Sequence, residues 1–317
     1  MRIGVFGTGG VGGYFGGKLA QAGEEVIFIA RREHLKAIQQ SGLRVDSPTG
    51  DFHIKPAQAT DDSWAAGIMD CVLVGVKAWQ VSEAAVTMKP MVGGQTVVLP
   101  LQNGVDAPKE LAAVLGVEHV LGGLCKISAQ VIAPGHIRHM GMEPTIVFGE
   151  IGDWGSASAI MAVQVERLRD IFSRAGVRAE TPADIQAAMW EKFLFIVAIS
   201  GVGSVARAPV GEVVSLAGSR RMLEQVMEEI YAVALAKGVS LAEDAVSRTM
   251  AFVAGLPASS VPSMQRDILN GKPSELEYQN GAVVRMGQES GVPTPVNAFI
   301  YSSLLPQERR ARGLQNV

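Results

Sequence analysis

One lysine, Lys192, stands at the head of the most apolar long stretch of the chain, WEKFLFIVAISGVGSVA at residues 190–206. A cation beside a carbonyl can polarise it and then protonate the alkoxide that hydride addition leaves. Three aromatic neighbours would partly desolvate this amine and suit it to that role: Trp190, Phe193 and Phe195. A lysine at the edge of an apolar helix face also commonly extends into water, and the helix alone favours that second interpretation.

A glycine-rich turn near the N-terminus predicts a dinucleotide site. It follows the apolar strand RIGVF and opens a helix, and its residues are Gly7, Thr8, Gly9, Gly10, Val11 and Gly12. Gly7 permits the tight turn, Gly9 lets backbone amides approach a pyrophosphate, and Gly12 allows close helix packing. The pyrophosphate would lie at the helix N-terminus, where backbone N–H groups are exposed. A merely flexible loop is the alternative.

The end of the second strand favours NADP over NAD. An NAD site usually places an acidic residue there to bind the ribose hydroxyls. Here the strand EVIFIA is followed by Arg31 and Arg32, and guanidinium groups suit a 2′-phosphate. We therefore expect Arg31 to contact the cofactor. The alternative is that both arginines are ordinary surface charges, and Glu33 keeps NAD open.

Polar side chains follow two further apolar strands. Lys77 and Gln80 come after DCVLVGV, and Asn103 follows TVVLPLQ. Because ligands of open α/β sheets bind outside the carboxyl ends of the strands, we expect Lys77 to contact the cofactor. Asn103 could hold either cofactor or substrate, although Asn-Gly is also a common turn.

These residues require a scaffold of alternating elements. Apolar strands and helical stretches alternate over roughly the first 150 residues, which predicts an α/β, Rossmann-type doubly wound domain. Three further strand-like pieces follow, at 120–128, 135–141 and 145–150, and then a helix with apolar spacing through Ile160, Val163, Leu168 and Ile171. From residue 181 onward long helical segments dominate. We therefore expect an NADP-binding domain at 1–180 and an all-helical substrate and catalytic domain at 181–317.

Composition restricts the partners. The 317 residues are 48% hydrophobic and carry a net charge of −3 without a basic run, so nucleic acid is not expected. Two cysteines without a spacing pattern, Cys71 and Cys125, predict buried thiols and a cytoplasmic location. The apolar segment 193–206 is shorter than the ~20 residues of a membrane span, so no membrane association is expected. His136 and His139 lack metal-ligand spacing, and no metal is predicted.

Several separated motifs form one ordered set. In chain order they are the glycine-rich turn, VKAWQ at 76–80, LQNG at 101–104, PGHIRHMG at 134–141, the lysine of WEKF, PSMQRD at 262–267 and SELEYQNG at 274–281. Together they resemble the ketopantoate reductase family, whose activity is 2-dehydropantoate 2-reductase in pantothenate biosynthesis. The resemblance spans nearly the whole chain, and the last two motifs are its most specific part.

The resemblance implies a Rossmann domain followed by a helical domain, with the active site in the cleft between them. The family is an NADP-dependent oxidoreductase that reduces a 2-oxo acid to a 2-hydroxy acid. By this likeness Lys192 is the proton donor and binds substrate, Asn103 contacts cofactor and substrate, and Ser263 binds substrate. Glu275 contacts the cofactor and helps to order the site, and the backbone near Ala129 lines the cofactor.

Local patterns suggest a further role for the last motif. Pro273 and Ser274 predict the start of a helix, with Ser274 as its N-cap and Glu277 completing a capping box. The capping box is a structural explanation for Glu277. For Glu275 the only structural explanation is weaker, namely that a negative charge in the first turn of a helix is favourable.

The helix of Lys192 departs from the family. Positions four apart lie on one helix face, so Lys192, Ile196 and Ser200 form a line. The family usually has asparagines at the second and third of these positions, and a polar residue where this chain has Val210. An amide lost to isoleucine removes a donor and an acceptor, worth about 1–3 kcal/mol when the partner is left buried. We expect a more apolar substrate pocket than is usual.

Several functions remain open on these grounds. Ketopantoate could be held by Ser200, Ser263 and Asn103, or a paralogue could reduce a bulkier, less hydroxylated 2-oxo acid or ketone. A relative of the 3-hydroxy acid and 6-phosphogluconate dehydrogenases would show an asparagine close after the lysine, and none is evident after Lys192. A non-catalytic NADP-sensing module is the alternative of another class. The long apolar helices could form either a homodimer interface or an internal core.

Overall fold

The chain folds as two units of different architecture. The structure is a computed structural model that describes residues 1–154 and 159–314. The first unit comprises Met1–Gln102 and Asp106–Ile185, and the second comprises Asn103–Val105 and the chain from Gln186 onward. The main division lies at residue 185, close to the predicted boundary at 180. The sequence did not predict that the three residues Asn103–Val105 belong to the second unit.

The first unit contains all ten described strands. They are β1 (Arg2–Phe6), β2 (Glu25–Ile29), β3 (Leu43–Asp46), β4 (Phe52–Ile54), β5 (Gln58–Thr60), β6 (Cys71–Val74), β7 (Val97–Pro100), β8 (Gly122–Ala133), β9 (His136–Gly149) and β10 (Arg178–Glu180). One sheet is parallel throughout, in the order β5-β2-β1-β6-β7. The second sheet has the order β10-β9-β3-β4, and β8 pairs antiparallel with β9.

Helices of the first unit connect the strands. They are α1 (Gly10–Gln21), α2 (Arg32–Ser41), α3 (Ser63–Ala66), α4 (Val81–Met88), α5 (Ala107–Leu115) and α6 (Ala159–Arg174). The strands β6 and β7 are buried at every position because helical connections cover both faces of a parallel sheet. This confirms the predicted doubly wound domain.

The second unit is helical throughout its described part. Its helices are α7 (Ile185–Ala206), which starts at the division, α8 (Val210–Ser215), α9 (Ala217–Ala236), α10 (Ala245–Ala254), α11 (Ser263–Leu269), α12 (Asn280–Ser290) and α13 (Pro295–Ala311). A single apolar core joins them, with Leu194, Val226 and Ile300 all fully buried. The prediction of a helical second domain is confirmed.

Helix α7 is the core element of the second unit. It is 22 residues long, and by length and composition alone it is the one described helix that could span a membrane. The apolar segment 193–206 forms the C-terminal part of this helix, which begins at Ile185. Since 67% of its most apolar window is buried, its apolar character is explained by packing in a protein core.

Several local predictions differ from the structure. The strands β3, β4 and β5 were not predicted, and the two strands expected at 135–141 and 145–150 form one continuous strand, β9. In α6 the predicted apolar face is only partly correct, because Ile160 and Val163 are 49% and 58% exposed. Leu168 and Ile171 are buried as expected.

Both cysteines are free and buried, as predicted. Cys71 lies in β6 and Cys125 in β8. Burial raises the pKa of the Cys71 thiol well above its usual range, with a smaller contribution from the charge of Asp70. The thiol of Cys71 is therefore protonated and unreactive in the folded protein.

Candidate active site

The glycine-rich turn has the geometry that its sequence predicts. Gly7 has φ +97°, a conformation that glycine adopts without a steric cost. A Cβ atom on Gly12 would lie 2.3 Å from the carbonyl oxygen of Gly7, so only glycine lets α1 pack this closely on the turn. Gly75, directly after β6, is packed into the same corner, with a hypothetical Cβ 2.8 Å from that oxygen. Gly75 was not predicted, although a glycine after a buried strand was a usable signal.

Thr8 positions the turn from within the fold. Its backbone N–H and its hydroxyl both donate to the carbonyl of Ile29 at the end of β2, at 3.1 and 3.0 Å, and the residue is 4% exposed. Both donors of Thr8 are therefore occupied by β2. Gly7, Gly9, Gly10 and Val11 are the partly exposed residues of the turn.

The start of α1 fits a dinucleotide pyrophosphate. The first helical bond runs from the N–H of Gly13 to the carbonyl of Gly9, so the N–H groups of the first turn have no partner within the helix. No side chain caps this end of α1, and its first turn contains no acidic residue. A Cβ on Gly9 would meet only the carbonyl of Gly75, at 4.0 Å, which shows open space above the turn. Exposed amides, the positive end of the helix dipole and free space together match an anion.

One residue of the second sheet and one of α2 lie near this turn. The carbonyl of Ala129 would be 2.3 Å from a Cβ on Gly10, so the backbone of Ala129 lies against the glycine-rich turn. That Ala129 lines the cofactor stays a prediction. His34, in α2, accepts a hydrogen bond at Nδ1 from the N–H of Gly135, at 3.0 Å. Burial lowers the pKa of His34 below its usual value, against a smaller opposing effect from the backbone of Thr8. His34 was missed, because its partner lies 101 residues away.

The arginines after β2 are exposed. Arg31 precedes α2, and its guanidinium lies 3.7 Å from the carboxylate of Glu83, with 58% of the Arg31 side chain exposed. Arg32 has φ +54°, unusual for a residue with a side chain. Glu33 pairs with Lys36 at 2.9 Å. The acidic residue near the strand end is therefore engaged along its own helix.

Polar groups also cluster after β6 and β7. Lys77 is exposed and its amine lies 5.6 Å from the ring centre of Trp79. The backbone N–H of Lys77 donates to the side chain of Gln80 at 3.3 Å. The amide of Gln102 donates to the carbonyls of Val74 and Val76, at 2.9 and 3.0 Å. Gln102, which was not predicted, therefore ties the end of β7 to the end of β6.

Within the second unit, two predicted site residues meet. The side-chain N–H of Asn103 donates to the Glu275 carboxylate at 3.3 Å, across 172 residues of sequence. Asn103 is half-buried, Gly104 next to it has φ +102°, and Glu275 is only 6% exposed. A buried carboxylate bonded to an amide holds that amide in one orientation.

The predicted capping box around Ser274 is wrong. Helix α12 begins only at Asn280, and residues 275–279 form turns. Ser274 instead donates its hydroxyl to Glu308 at 2.5 Å and accepts from the N–H of Leu276 at 3.3 Å. Glu277 contacts the hydroxyl of Tyr301 at 2.5 Å. A tertiary partner for the serine has replaced the local cap.

The line along α7 divides into an accessible and an inaccessible part. Lys192 and Ile196 are half-buried, whereas Ser200 has no exposed surface. The hydroxyl of Ser200 has no hydrogen-bond partner among the described residues. The backbone carbonyl of Ser200 accepts from the hydroxyl of Ser204 at 2.6 Å. As the second unit is folded here, a substrate can touch Lys192 and Ile196, whereas Ser200 is enclosed.

Residues around α11 complete this unit. Ser263 is the first residue of α11 and is half-buried. Gln265, one turn in, donates to the carbonyls of Gly203 and Ala208 at 3.0 and 2.9 Å, which fixes α11 on the end of α7. Val210 is 4% exposed and belongs to the core.

The two histidines of β9 have structural partners. His136 lies 2.8 Å from Asp46, and this contact lowers the pKa of the Asp46 carboxyl more than its contact with Arg44 does. His139 is buried between Ser47 and the carbonyl of Met142, both at 2.9 Å. Over residues 1–154 and 159–314 no cluster of His, Cys, Asp and Glu could hold a metal ion.

A glycine-rich turn on a parallel sheet, together with a helical unit that contains the half-buried Lys192 and a hydrogen-bonded Asn103–Glu275 pair, is typical of a Rossmann-type oxidoreductase that uses a nicotinamide dinucleotide. Comparison with known proteins agrees. The family described as Ketopantoate reductase PanE/ApbA matches residues 3–153, and its C-terminal counterpart matches residues 184–308. The chain belongs to the ketopantoate reductase family.

Individual relatives cover almost the whole chain. A 2-dehydropantoate 2-reductase of Halobacterium salinarum is 34% identical over 298 residues, which are 93% of this chain and 95% of that protein. The crystal structure of a PanE/ApbA family ketopantoate reductase from Ralstonia eutropha JMP134 has a TM-score of 0.88 and 33% identity, and covers 98% of this chain and 100% of that one.

The same fold also occurs in a D-mandelate dehydrogenase. Its ternary structure with NADH and anilino(oxo)acetate has a TM-score of 0.88 at 23% identity, covering 98% of this chain and 100% of that one. That structure contains NADH, and at this identity the likeness shows a shared fold.

Proposed function

We propose that this protein reduces 2-dehydropantoate (ketopantoate) to pantoate with NADPH, as a cytoplasmic enzyme of pantothenate and coenzyme A biosynthesis. The observation that carries the proposal is the hydrogen bond between Asn103 and Glu275. Both residues belong to motifs of the family, and their side chains meet within one unit. Membership of the family, with several relatives named 2-dehydropantoate 2-reductase, supports the assignment.

The first unit supplies the cofactor site in this proposal. The amides at the start of α1 bind the pyrophosphate, and the backbone at Ala129 lines the same turn. Arg31 binds the 2′-phosphate, for which its exposed guanidinium is suited by charge and geometry. Lys77 adds a second positive charge after β6. The bound cofactor supplies a hydride to the C2 carbonyl of the substrate.

The second unit supplies the acid and the substrate contacts. Lys192 polarises the carbonyl oxygen and gives its proton to the alkoxide that results. Asn103, oriented by Glu275, donates to cofactor or substrate, and Ser263 binds the substrate. Ser200 would bind it only after a local movement of the unit, because its side chain is enclosed.

The test is a kinetic one. NADPH and NADH oxidation would be followed with ketopantoate and with a panel of branched and aromatic 2-oxo acids. Lys192→Ala should lose about 10²–10⁴-fold in kcat, the usual contribution of a general acid. The matched control is Lys237→Ala, because Lys237 is also a partly exposed lysine of this unit, paired with Glu289. A silent panel, or a Lys192→Ala enzyme that keeps its activity, would refute the proposal.

A second candidate is favoured by Ile196. This residue occupies an accessible position one turn after Lys192, where an amide would otherwise be available to a hydroxylated substrate. An isoleucine suits a bulkier, less hydroxylated 2-oxo acid or ketone. Preference for an aromatic over a hydroxylated substrate in the same panel would support this candidate. The hydride and proton chemistry is the same in both cases.

A homodimer through the second unit stays a prediction. Gel filtration coupled to light scattering would measure the mass directly. A small-molecule 2-oxo acid is the only further partner that the proposal requires, and neither nucleic acid nor a membrane has a role in it.

A further inference from the structure

The segment that carries Glu275 is held by a buried carboxylate from the last helix. Both oxygens of Glu308, in α13, accept from the backbone N–H of Ser274, at 3.0 and 3.1 Å. One of them also accepts the Ser274 hydroxyl at 2.5 Å. Glu308 is 5% exposed and Ser274 is fully buried. The carboxylate therefore fixes both the main chain and the side chain of the residue before Glu275.

Arg312 completes the arrangement from the next turn of α13. Its Nε donates to Glu308 at 2.6 Å, and its terminal nitrogen donates to the carbonyl of Ser274 at 2.8 Å. The Ser274 hydroxyl, having donated to Glu308, accepts from the N–H of Leu276 at 3.3 Å. The residues on both sides of Glu275 are thus held by hydrogen bonds.

Such a clamp is needed because helix α12 starts too late to hold this segment. Residues 275–279 are turns, and the helical ladder begins at Asn280. Without a ladder, the direction of the Glu275 side chain depends on how the flanking residue is fixed. That side chain is the acceptor for Asn103. A chain of contacts therefore runs from Glu308 through Ser274 and Glu275 to Asn103.

We propose that Glu308 is a positioning residue for the cofactor and substrate site, acting through Ser274 on Glu275 and Asn103. The inference rests on the proposed function in one respect, that Glu275 and Asn103 contact the cofactor. It adds a residue of the last helix to the site, although Glu308 itself touches neither cofactor nor substrate.

The test compares Glu308→Gln with a variant that only destabilises the same unit. Glu308→Gln keeps the shape of the side chain and replaces one acceptor oxygen by a donor, which cannot accept from Ser274. Val233→Ala is the matched control, because Val233 is fully buried in α9 and has no contact in the clamp. Three quantities are measured: the melting temperature, the Kd of NADPH by fluorescence titration, and deuterium exchange of the segment 274–279.

Glu308→Gln should weaken NADPH binding about tenfold and speed exchange of the segment, as expected when a hydrogen bond to a charged group is lost. Val233→Ala should lower the melting temperature with the Kd and the exchange rate unchanged. Ser274→Ala provides a second variant that removes only the hydroxyl. The combined effect of Ser274→Ala and Glu308→Gln on the Kd of NADPH should be smaller than the sum of their separate effects, because both variants remove hydrogen bonds between Ser274 and Glu308.

A Glu308→Gln protein with the Kd and exchange rate of the wild type would overturn the inference, whatever its melting temperature. Additive effects of Glu308→Gln and Ser274→Ala on the Kd would also overturn it. The proposed function fails by a different result, namely a wild-type protein that binds no NADPH or reduces no 2-oxo acid. The exchange measurement separates the two failures, since it needs neither cofactor nor turnover.

Discussion

Replacing Ile196 by asparagine should change which 2-oxo acid the enzyme prefers. Ile196 is half-buried on α7, one turn after Lys192 and one turn before Ser200. An amide placed there would face the same accessible surface as the lysine. The same amide could form a hydrogen bond with the hydroxyl of Ser200, which has no partner among the described residues. Ile196→Asn therefore adds a polar contact for a hydroxylated substrate.

The expected magnitude follows from the burial of the site. A hydrogen bond formed in a desolvated pocket contributes about 1–3 kcal/mol when its loss leaves a buried group unpaired, or about 5- to 150-fold in relative kcat/KM. Fully burying an isoleucine contributes about 1.5–3 kcal/mol, so losing a half-buried one costs about 1 kcal/mol of stability. That cost is small enough to leave the second unit folded.

The assay is the ratio of kcat/KM for ketopantoate to kcat/KM for an aromatic 2-oxo acid. Ile196→Asn should raise this ratio, and Ile196→Val, which alters volume but adds no polar atom, should leave it nearly unchanged. A ratio that stays the same in a folded Ile196→Asn protein would refute the assignment of Ile196 to the substrate pocket. An equal change in both variants would show that volume, not polarity, sets the preference.

Three further predictions concern the cofactor site and stability. Arg31→Ala should raise the KM for NADPH about tenfold or more and leave the KM for NADH unchanged. Arg44→Ala is the neutral control. An equal effect of Arg31→Ala on both cofactors would contradict a contact with the 2′-phosphate. Because burial lowers the pKa of His34 in the folded state, the stability of the protein should fall as the pH drops below the ordinary histidine value of 6.5. Protonation of His34 also removes the acceptor for the backbone N–H of Gly135. A His34→Asn protein whose melting temperature depends on acid pH as the wild type does would contradict this prediction. Glu229 accepts from the first backbone amides of α13, so Glu229→Gln should cost about 1–2 kcal/mol in urea denaturation, and an unchanged midpoint would count against this capping role.

Local sequence patterns were sufficient for four of the five strands of the parallel sheet, namely β1, β2, β6 and β7. Buried strands such as β6 and β7 are short apolar runs flanked by glycine and polar residues, and helices separate them. The strands β3, β4 and β5 are only three or four residues long and mix polar with apolar residues. β3 pairs with β9 and β5 pairs with β2, both distant in sequence, and no local pattern records these pairings.

The sequence supplies candidate residues for the site, whereas the contacts between them come from the fold. The glycine-rich turn carries its geometry in its own sequence, since each close approach requires a glycine. The bond between Asn103 and Glu275 joins residues 172 positions apart, and only a resemblance could suggest it. The predicted cap at Ser274 failed for the same reason, because a tertiary carboxylate, Glu308, bound the serine instead.

The three departures from the family pattern therefore carry unequal weight. Val210 and Ser200 are buried in the second unit, so a change there alters packing before it alters substrate contacts. Ile196 alone among the three is partly accessible, and it lies on the face of α7 that carries Lys192. A substrate that meets the lysine must also meet this side chain or the space beside it. Under the proposed function, the preference among 2-oxo acids is therefore predicted to depend on Ile196 more than on Ser200 or Val210.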